Sequence, residues 1–334
     1  VQGYQEHPLA EVVAIADTDP QKLQAVAETY AVPRQYPSAE QMLAEETLDV
    51  VSIATPNRFH KPQALAAFGA GCHVLVEKPM SISAAEGREM LAAANAAGKR
   101  LMINFSYRFY EQSRALKAQV DAGVLGEIYF GRSIWLRRTG WPGFGGWFGQ
   151  KALSGGGPLI DLGVHRLDLA LWLMGYPRPT WVIASTHNEL AAPLAQKAGV
   201  LFDVEDFAAA FIRFETGASL EIEASWAAHI AQHEMMETRL LGTQGGLMQR
   251  NIGEGYEFEA EIYTEHSGTL FDMKMHNPNP WTPSLAVKGG MYHFIDSIAQ
   301  DRPHIATGEE GLVVMQLLDA IYRSAETGEP VRVE

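Results

Sequence analysis

One stretch of the chain carries ionisable groups at a spacing that suits chemistry. Within the segment 155–175, Asp161, His165 and Asp168 recur every three or four residues. On a helix of about 3.6 residues per turn they fall on a single stripe. The rest of the segment is apolar, with Leu159, Ile160, Leu162, Val164, Leu167, Leu169, Leu171 and Leu173, which predicts a helix buried on most sides. Charged groups inside a core are costly unless they are paired or used. Such a stripe has two uses. It is either a satisfied internal network in which a carboxylate holds the imidazole, or a proton-transfer site, since histidine's ordinary pKa of about 6.5 places a base near neutrality. The helix alone leaves both open.

The elements that must position this stripe are legible around it. Gly155-Gly156-Gly157-Pro158 reads as a loop opening a helix, and Gly175 closes it. Upstream, apolar strands alternate with helices. Strands are expected at Glu11–Asp17, near Gln35-Tyr36, at Leu48–Asn57 running into a proline turn, at His73–Pro79 and at Leu101–Ile103. Helices are expected over about Pro20–Tyr30, Ala39–Ala44, His60–Gly69 and Ala84–Ala97. This rhythm predicts an open parallel sheet covered on both faces. After a helix over about Glu111–Ala122 the rhythm changes. Strand-like runs then follow at Gly126–Arg137, Trp181–His187, Phe207–Phe214, Ala218–Ser225, Thr238–Leu241 and Tyr256–Tyr263, with Glu215-Thr216-Gly217 as a hairpin turn. Two helices, about Ser284–Ala299 and Glu309–Glu326, end the chain. The expectation is an α/β protein divided into a Rossmann-type unit, residues 1–104, and an α+β unit with a large, mostly antiparallel sheet, residues 105–334.

Open parallel sheets bind ligands beyond the carboxyl ends of their strands. The polar residues expected there are Asp17, Thr55-Pro56-Asn57 with His60, and Glu77-Lys78-Pro79. An acid at the end of the second strand of a dinucleotide fold accepts from ribose hydroxyls and repels a 2′-phosphate. Asp17, with no arginine directly after it, therefore favours NAD over NADP. The alternative is an ordinary turn aspartate. Lys78 sits at a strand end ahead of a proline, aimed into the crevice, and Lys78–Pro79 is a candidate cis peptide. The glycine fingerprint that should precede Asp17, and the strand before it, are absent from the sequence. A missing upstream segment is the expectation, with a chain unable to hold a dinucleotide as the alternative.

The totals narrow the classes. The chain has 334 residues, 47% hydrophobic and 20% charged, the composition of a soluble globular protein. A net charge of −14 argues against nucleic acid or an anionic membrane as partner. No uncharged apolar run reaches about 18 residues. The single cysteine, Cys72, allows no internal disulfide, and with His229 and His233 as the one HxxxH spacing and no HExxH, a metal is not expected. A cytoplasmic location is expected, with an export signal on the absent N-terminus as the other option.

Taken together these motifs resemble the glucose–fructose oxidoreductase/inositol dehydrogenase family, Gfo/Idh/MocA. The matching residues are Ala16-Asp17, Ile53-Ala54-Thr55-Pro56-Asn57 with His60, Glu77-Lys78-Pro79, then Gly155-Gly156-Gly157, Asp161, Gly163, His165 and Asp168 in order, and Gly242-Thr243-Gln244-Gly245-Gly246. The resemblance implies a Rossmann unit joined to a unit whose open sheet mediates homo-oligomerisation, as a dimer or tetramer. It also implies nicotinamide-dependent oxidation of a sugar or polyol carbinol, or the reverse reduction. Lys78, Asp161 and His165 match the family's catalytic residues. Cofactor binding falls to Asp17, Thr55, Pro56, Asn57, His60, Glu77 and Lys78. The segment 104–109 follows the family's aromatic–arginine segment loosely and offers Arg108 to the substrate.

On this basis His165 takes the hydroxyl proton of a secondary alcohol and Lys78 stabilises the charge developing on its oxygen. Asp161 holds a substrate hydroxyl and favours the protonated imidazole, while Asp168 supports from behind. Trp141 and Trp147, in the glycine-rich stretch 137–148 that also holds Arg137 and Arg138, are expected to wall the substrate; packing at a domain or subunit contact is the alternative. Three other readings compete with an NAD-dependent dehydrogenase. They are an NAD-assisted glycosidase of the same family, a non-catalytic dinucleotide sensor, and NADP dependence.

Overall fold

The computed structural model describes residues 1–253, 255–275 and 289–334. Helix α1 (Gln2–Gln5) leads into β1 (Ala14–Ala16), α2 (Pro20–Tyr30), β2 (Arg34–Tyr36), α3 (Ala39–Glu45), β3 (Val50–Ile53), α4 (His60–Gly69), β4 (His73–Val76), α5 (Ala84–Ala97) and β5 (Leu101–Ile103). Capping explains several of these boundaries. The Asp19 carboxylate accepts from the backbone N–H of Gln21 and Lys22, with Pro20 opening α2, and Ser38 and Ser83 cap α3 and α5. All the strands here pair in parallel, but in two pieces: β1 with β2, and β3–β4–β5. No strand among the described residues bridges β1 and β3.

The chain continues through α6 (Glu111–Asp121), β6 (Ile128–Arg137), α7 (Lys151–Ser154), α8 (Val164–Leu173), β7 (Pro179–His187), α9 (Ala191–Ala198), β8 (Phe207–Phe214) and β9 (Ser219–Ser225). It then forms β10 (Glu234–Gly242), β11 (Gly245–Asn251), β12 (Phe258–His266), β13 (Thr269–Lys274), α10 (Gly289–Ala299), α11 (Gly308–Thr327) and β14 (Val331–Arg332). Nine strands make one sheet in the order β13-β12-β11-β10-β6-β9-β8-β7-β14, antiparallel throughout except for the β6–β9 pair. The sequence reading passes over α7, α9, β11, β13 and β14. The start of its penultimate helix, residues 284–288, lies outside the described residues.

Helix α8 is the pivot of the packing. Leu167, Leu169, Ala170, Leu171 and Leu173 are all completely buried. One side joins a core made of β3–β5, β7–β9 and α11, and the other joins a cluster with Tyr107, Trp135, Phe202 and Trp226. Each fully buried leucine contributes about 1.5–3 kcal/mol. The helix therefore has to be apolar nearly all round, and its few polar side chains sit where they are used. Helix α11 returns to pack on both α5 and β7, so the last stretch of chain clamps the parallel strands to the large sheet. Among the described residues no helix is long and apolar enough to cross a membrane.

Candidate active site

Strand β4 is buried from Val74 to Val76 and ends at the cleft. Beyond it, the Glu77 carboxylate accepts from Asn104 Nδ2 at 2.6 Å, and the Lys78–Pro79 peptide is cis. Lys78 Nζ donates to the Asp161 carbonyl at 2.8 Å and to its Oδ1 at 2.9 Å. The other carboxylate oxygen, Oδ2, accepts from Trp226 Nε1 at 2.9 Å. Burial by itself would raise the Asp161 carboxyl. The Lys78 charge, its hydrogen bond and the Trp226 indole outweigh it and hold the group below its usual range.

Asp161 lies on a π-helical turn, Leu159–Gly163, from which α8 continues; such turns recur at functional sites. The glycine run before it is dictated by close packing. Gly155 has φ +86°, a Cβ on Gly156 would stand 2.0 Å from Tyr322 Oη, and one on Gly157 would stand 2.1 Å from the Glu205 carbonyl. Glu205 is the hidden partner of this loop. Its carboxylate accepts from the N–H of Gly157 (2.8 Å) and Leu159 (3.2 Å) and from Tyr322 Oη (2.9 Å). It thereby satisfies the free donors of a helix start.

His165 packs against the rings of Tyr107 (5.0 Å between centroids) and Trp135 (5.6 Å). Its Nδ1 is buried without a hydrogen-bond partner among the described residues. Burial, then the charges of Lys78, Arg166 and Arg137, push the imidazole well below its ordinary pKa. It is therefore neutral at neutral pH, a base and not an acid. Contrary to the sequence expectation, Asp161 is not among the groups acting on the imidazole, where the cations Lys78, Arg166 and Arg137 prevail.

Ala54, Thr55, Asn57, Glu77, Lys78, Pro79, Trp147, Phe148 and Asp161 line a cavity of about 180 Å³. It opens at the carboxyl ends of β3 and β4, where parallel sheets of this kind take a nucleotide. Asn57 closes one wall by donating from Nδ2 to the Ser154 carbonyl at 2.7 Å. Asp17 stands exposed beyond β1, accepting from the Asp19 N–H at 2.8 Å. These residues fit the nicotinamide end and the adenosine ribose of a dinucleotide. A glycine-rich strand–helix turn for the pyrophosphate is not found among the described residues. No group of three or more His, Cys, Asp or Glu there is placed to hold a metal.

Three expectations are corrected. Arg108 does not face a substrate: it is completely buried, with Nε and Nη2 on the Asp168 carboxylate (2.9 and 2.6 Å) and Nη1 on Glu310 (2.7 Å). Asp168, which also accepts from Tyr176 Oη at 2.6 Å, belongs to this network. His60 cannot touch a cofactor. It is fully buried, its ring spanning the carbonyls of Pro79 (Nδ1, 2.8 Å) and Thr55 (Nε2, 2.9 Å), so it ties together the two loops that line the cavity. Trp141 packs on Phe144 and Phe202 instead of the cavity, whereas Trp147 borders it, stacked on Phe148 at 3.9 Å. Sequence reasoning missed Trp226, Glu205 and Tyr322. Trp226 follows the alternating strand β9, but no spacing links it to Asp161.

Residues 1–105 match the oxidoreductase family model with an NAD-binding Rossmann fold, and residues 113–248 match the GFO/IDH/MocA C-terminal domain. A D-glucoside 3-dehydrogenase of Escherichia coli (strain K12) is 36% identical over 97% of this chain and 90% of its own length. The structure of GenD2 from gentamicin A biosynthesis, in complex with NAD, is 27% identical with a TM-score of 0.80, covering 100% of this chain and 92% of that one. Levoglucosan dehydrogenase in complex with NADH, at 23% identity, shares the fold with a TM-score of 0.86 over 100% and 93% of the two chains. The chain belongs to the Gfo/Idh/MocA family, as an oxidoreductase of CH–OH groups with an NAD-binding Rossmann unit.

Proposed function

We propose that the protein is an NAD-dependent dehydrogenase that oxidises a ring secondary alcohol of a glucoside, the C3 hydroxyl being the first position to test. The observation that carries this reading is the Lys78–Asp161 pair at the mouth of the cavity, with neutral His165 one turn further along the same helix. Trp147 and Phe148, which also line the cavity, offer apolar ring surface of the kind that suits the C–H groups of a pyranose. Likeness to a D-glucoside 3-dehydrogenase supports the choice of substrate.

In this reading Thr55, Asn57, Glu77 and Lys78 hold the nicotinamide end and Asp17 the adenosine ribose. NAD, when bound, supplies the hydride acceptor. His165 removes the hydroxyl proton, and its neutral state at physiological pH leaves it free to do so. Lys78, two of whose donors are fixed on Asp161, keeps a third for the reacting oxygen and steadies its negative charge. Asp161 sets the position of Lys78 and offers its carboxylate to a neighbouring hydroxyl. Residues 1–104 form the dinucleotide half and 105–334 the substrate half of a cytoplasmic homo-oligomer.

The test is NADH formation with methyl glucosides, levoglucosan and polyols, using NAD and NADP, with NMR of the product to locate the carbonyl. Turnover of methyl glucosides to a 3-oxo product supports the reading. Oxidation confined to open-chain polyols overturns it, and glycoside cleavage without net NADH assigns the chain to the family's glycosidases.

A further inference from the structure

Directly after His165 on α8 stands Arg166, whose side chain is completely buried. Its guanidinium carbon lies 4.7 Å from the ring centre of Tyr107, 5.1 Å from Phe258 and 5.7 Å from Trp135. Nη1 donates to Gln249 Oε1 at 3.3 Å, while Nε and Nη2 have no hydrogen-bond partner among the described residues. A guanidinium does not deprotonate in a protein, so this is a permanent charge held by three aromatic faces and one amide. Buried charges with idle donors are poor structural devices, and an apolar side chain of similar volume is commonly as stabilising or better. The side chain therefore calls for a use.

Its surroundings point to one. Tyr107 and Trp135, two of the three rings around Arg166, are the same two rings that hold the imidazole of His165. We propose that Arg166 is a positioning residue for the reaction, a fixed positive charge caged behind His165 that keeps the imidazole unprotonated and ready for the substrate's hydroxyl proton. This inference rests on His165 being the base.

The other cations facing the imidazole act in the same direction, Lys78 more strongly than Arg166, but each of them is ion-paired. Lys78, beyond β4, is paired with Asp161 on the π-helical turn. Arg137, at the end of β6, is paired with Glu234 of β10, which also accepts from Trp135 Nε1. The fields of these two cations are partly cancelled by their carboxylates. Tyr107, from the turn after β5, is raised by burial and stays a neutral phenol. Arg166 makes no ion pair among the described residues: ring faces and the Gln249 amide surround it, and the Glu234 carboxylate acts on it only through its field. The depressed imidazole, with burial first and Lys78, Arg166 and Arg137 following, accords with this picture.

The experiment is 15N-edited NMR of the histidine rings in the full-length protein, without substrate, between about pH 5 and 8. It compares the wild type with Arg166→Lys and Arg166→Gln, the His165 signal being identified by its loss in His165→Asn. Arg166→Gln should begin to protonate at a higher pH than wild type, while Arg166→Lys, which retains the charge, should follow wild type. In parallel, kcat/KM for methyl glucoside should fall roughly tenfold further on the acid side in Arg166→Gln than in wild type. Should Arg166→Gln not fold, Arg166→Met gives a charge-free side chain of suitable bulk. Unchanged titration in the charge-free variant, or an equal shift in Arg166→Lys, overturns the proposal. Because the NMR readout needs no turnover, a wrong choice of substrate leaves the outcome just as decisive.

Discussion

The carboxylate of Asp161 divides its two oxygens between a lysine and an indole, and this division defines the site at the scale of single residues. Trp226→Phe removes one donor but leaves most of the packing. Burial then counts more heavily and the Asp161 carboxyl rises. A hydrogen bond to a charged group is worth about 1.5–3 kcal/mol, so kcat should drop between tenfold and a hundredfold, with the acid limb of the rate profile moving up. An unaltered kcat would show that the indole merely fills space. Lys78→Met goes further: loss of one donor to a developing oxyanion costs about 10²–10³ in kcat, and the folded state should persist by circular dichroism. His165 yields a prediction about stability. Its folded pKa lies below the unfolded value of about 6.5, so between the two the unfolded chain binds more protons. Stability is therefore lost as pH falls below about 6.5 and is retained above it. Buried His60 and half-buried His73, His293 and His304 are depressed by desolvation in the same direction. The contribution of His165 is thus the difference in slope between wild type and His165→Gln in urea titrations at a series of pH values. Parallel slopes would rule it out.

At the scale of elements, the glycine run and the π-helical turn together decide where Asp161 points. Gly157→Ala places a methyl group against the Glu205 backbone at 2.1 Å, which the loop relieves only by moving. Overpacking of this kind costs about 1–3 kcal/mol, and here it also displaces Asp161 from Lys78. Urea unfolding should show the loss of stability, and kcat should fall with it; a fully active, fully stable variant would mean that the loop is soft. The sequence announces this element through three glycines, a proline and an apolar helix, but it hides the reason for them. Glu205 reaches the loop from 48 residues away and Tyr322 reaches Glu205 from a further 117, and nothing in their local context marks them. Strands β4 and β5 were readable because Val74–Val76 and Leu101–Ile103 are apolar runs buried on both sides, and β3 because only Ser52 interrupts its apolar residues. β13 was not, since all six of its residues are exposed and carry no alternation. The aligned stripe was half legible. Asp161 lines the cavity and His165 packs on Tyr107 and Trp135, whereas Asp168 turns to a separate ionic network, a choice set by Arg108 and Glu310 from other parts of the chain.

That network acts on the whole molecule. Arg108 follows β5, Asp168 lies on α8, Tyr176 follows it, and Glu310 opens α11, where its carboxylate also accepts from the Thr307 N–H in a capping box. One guanidinium thus joins the end of the parallel strands, the central helix and the closing helix. Breaking a buried pair by removing one partner costs about 3–5 kcal/mol, since the remaining charge is left uncompensated. The two partners are not equivalent. Burial raises the Asp168 carboxyl above its usual range in spite of the adjacent arginine, so the acid is already disposed towards its neutral form. Asp168→Asn, which keeps the shape and an acceptor for Arg108, should therefore destabilise the protein less than Arg108→Met. Arg108→Met strands Asp168 and removes the link to Glu310 together. Urea denaturation of the two single variants and the double variant measures this, with a coupling energy of about 0.5–3 kcal/mol expected for residues in one network. If the two single variants lose equal stability and their effects add, Arg108 and Asp168 are neighbours without being partners, and the three regions are held together by apolar packing alone.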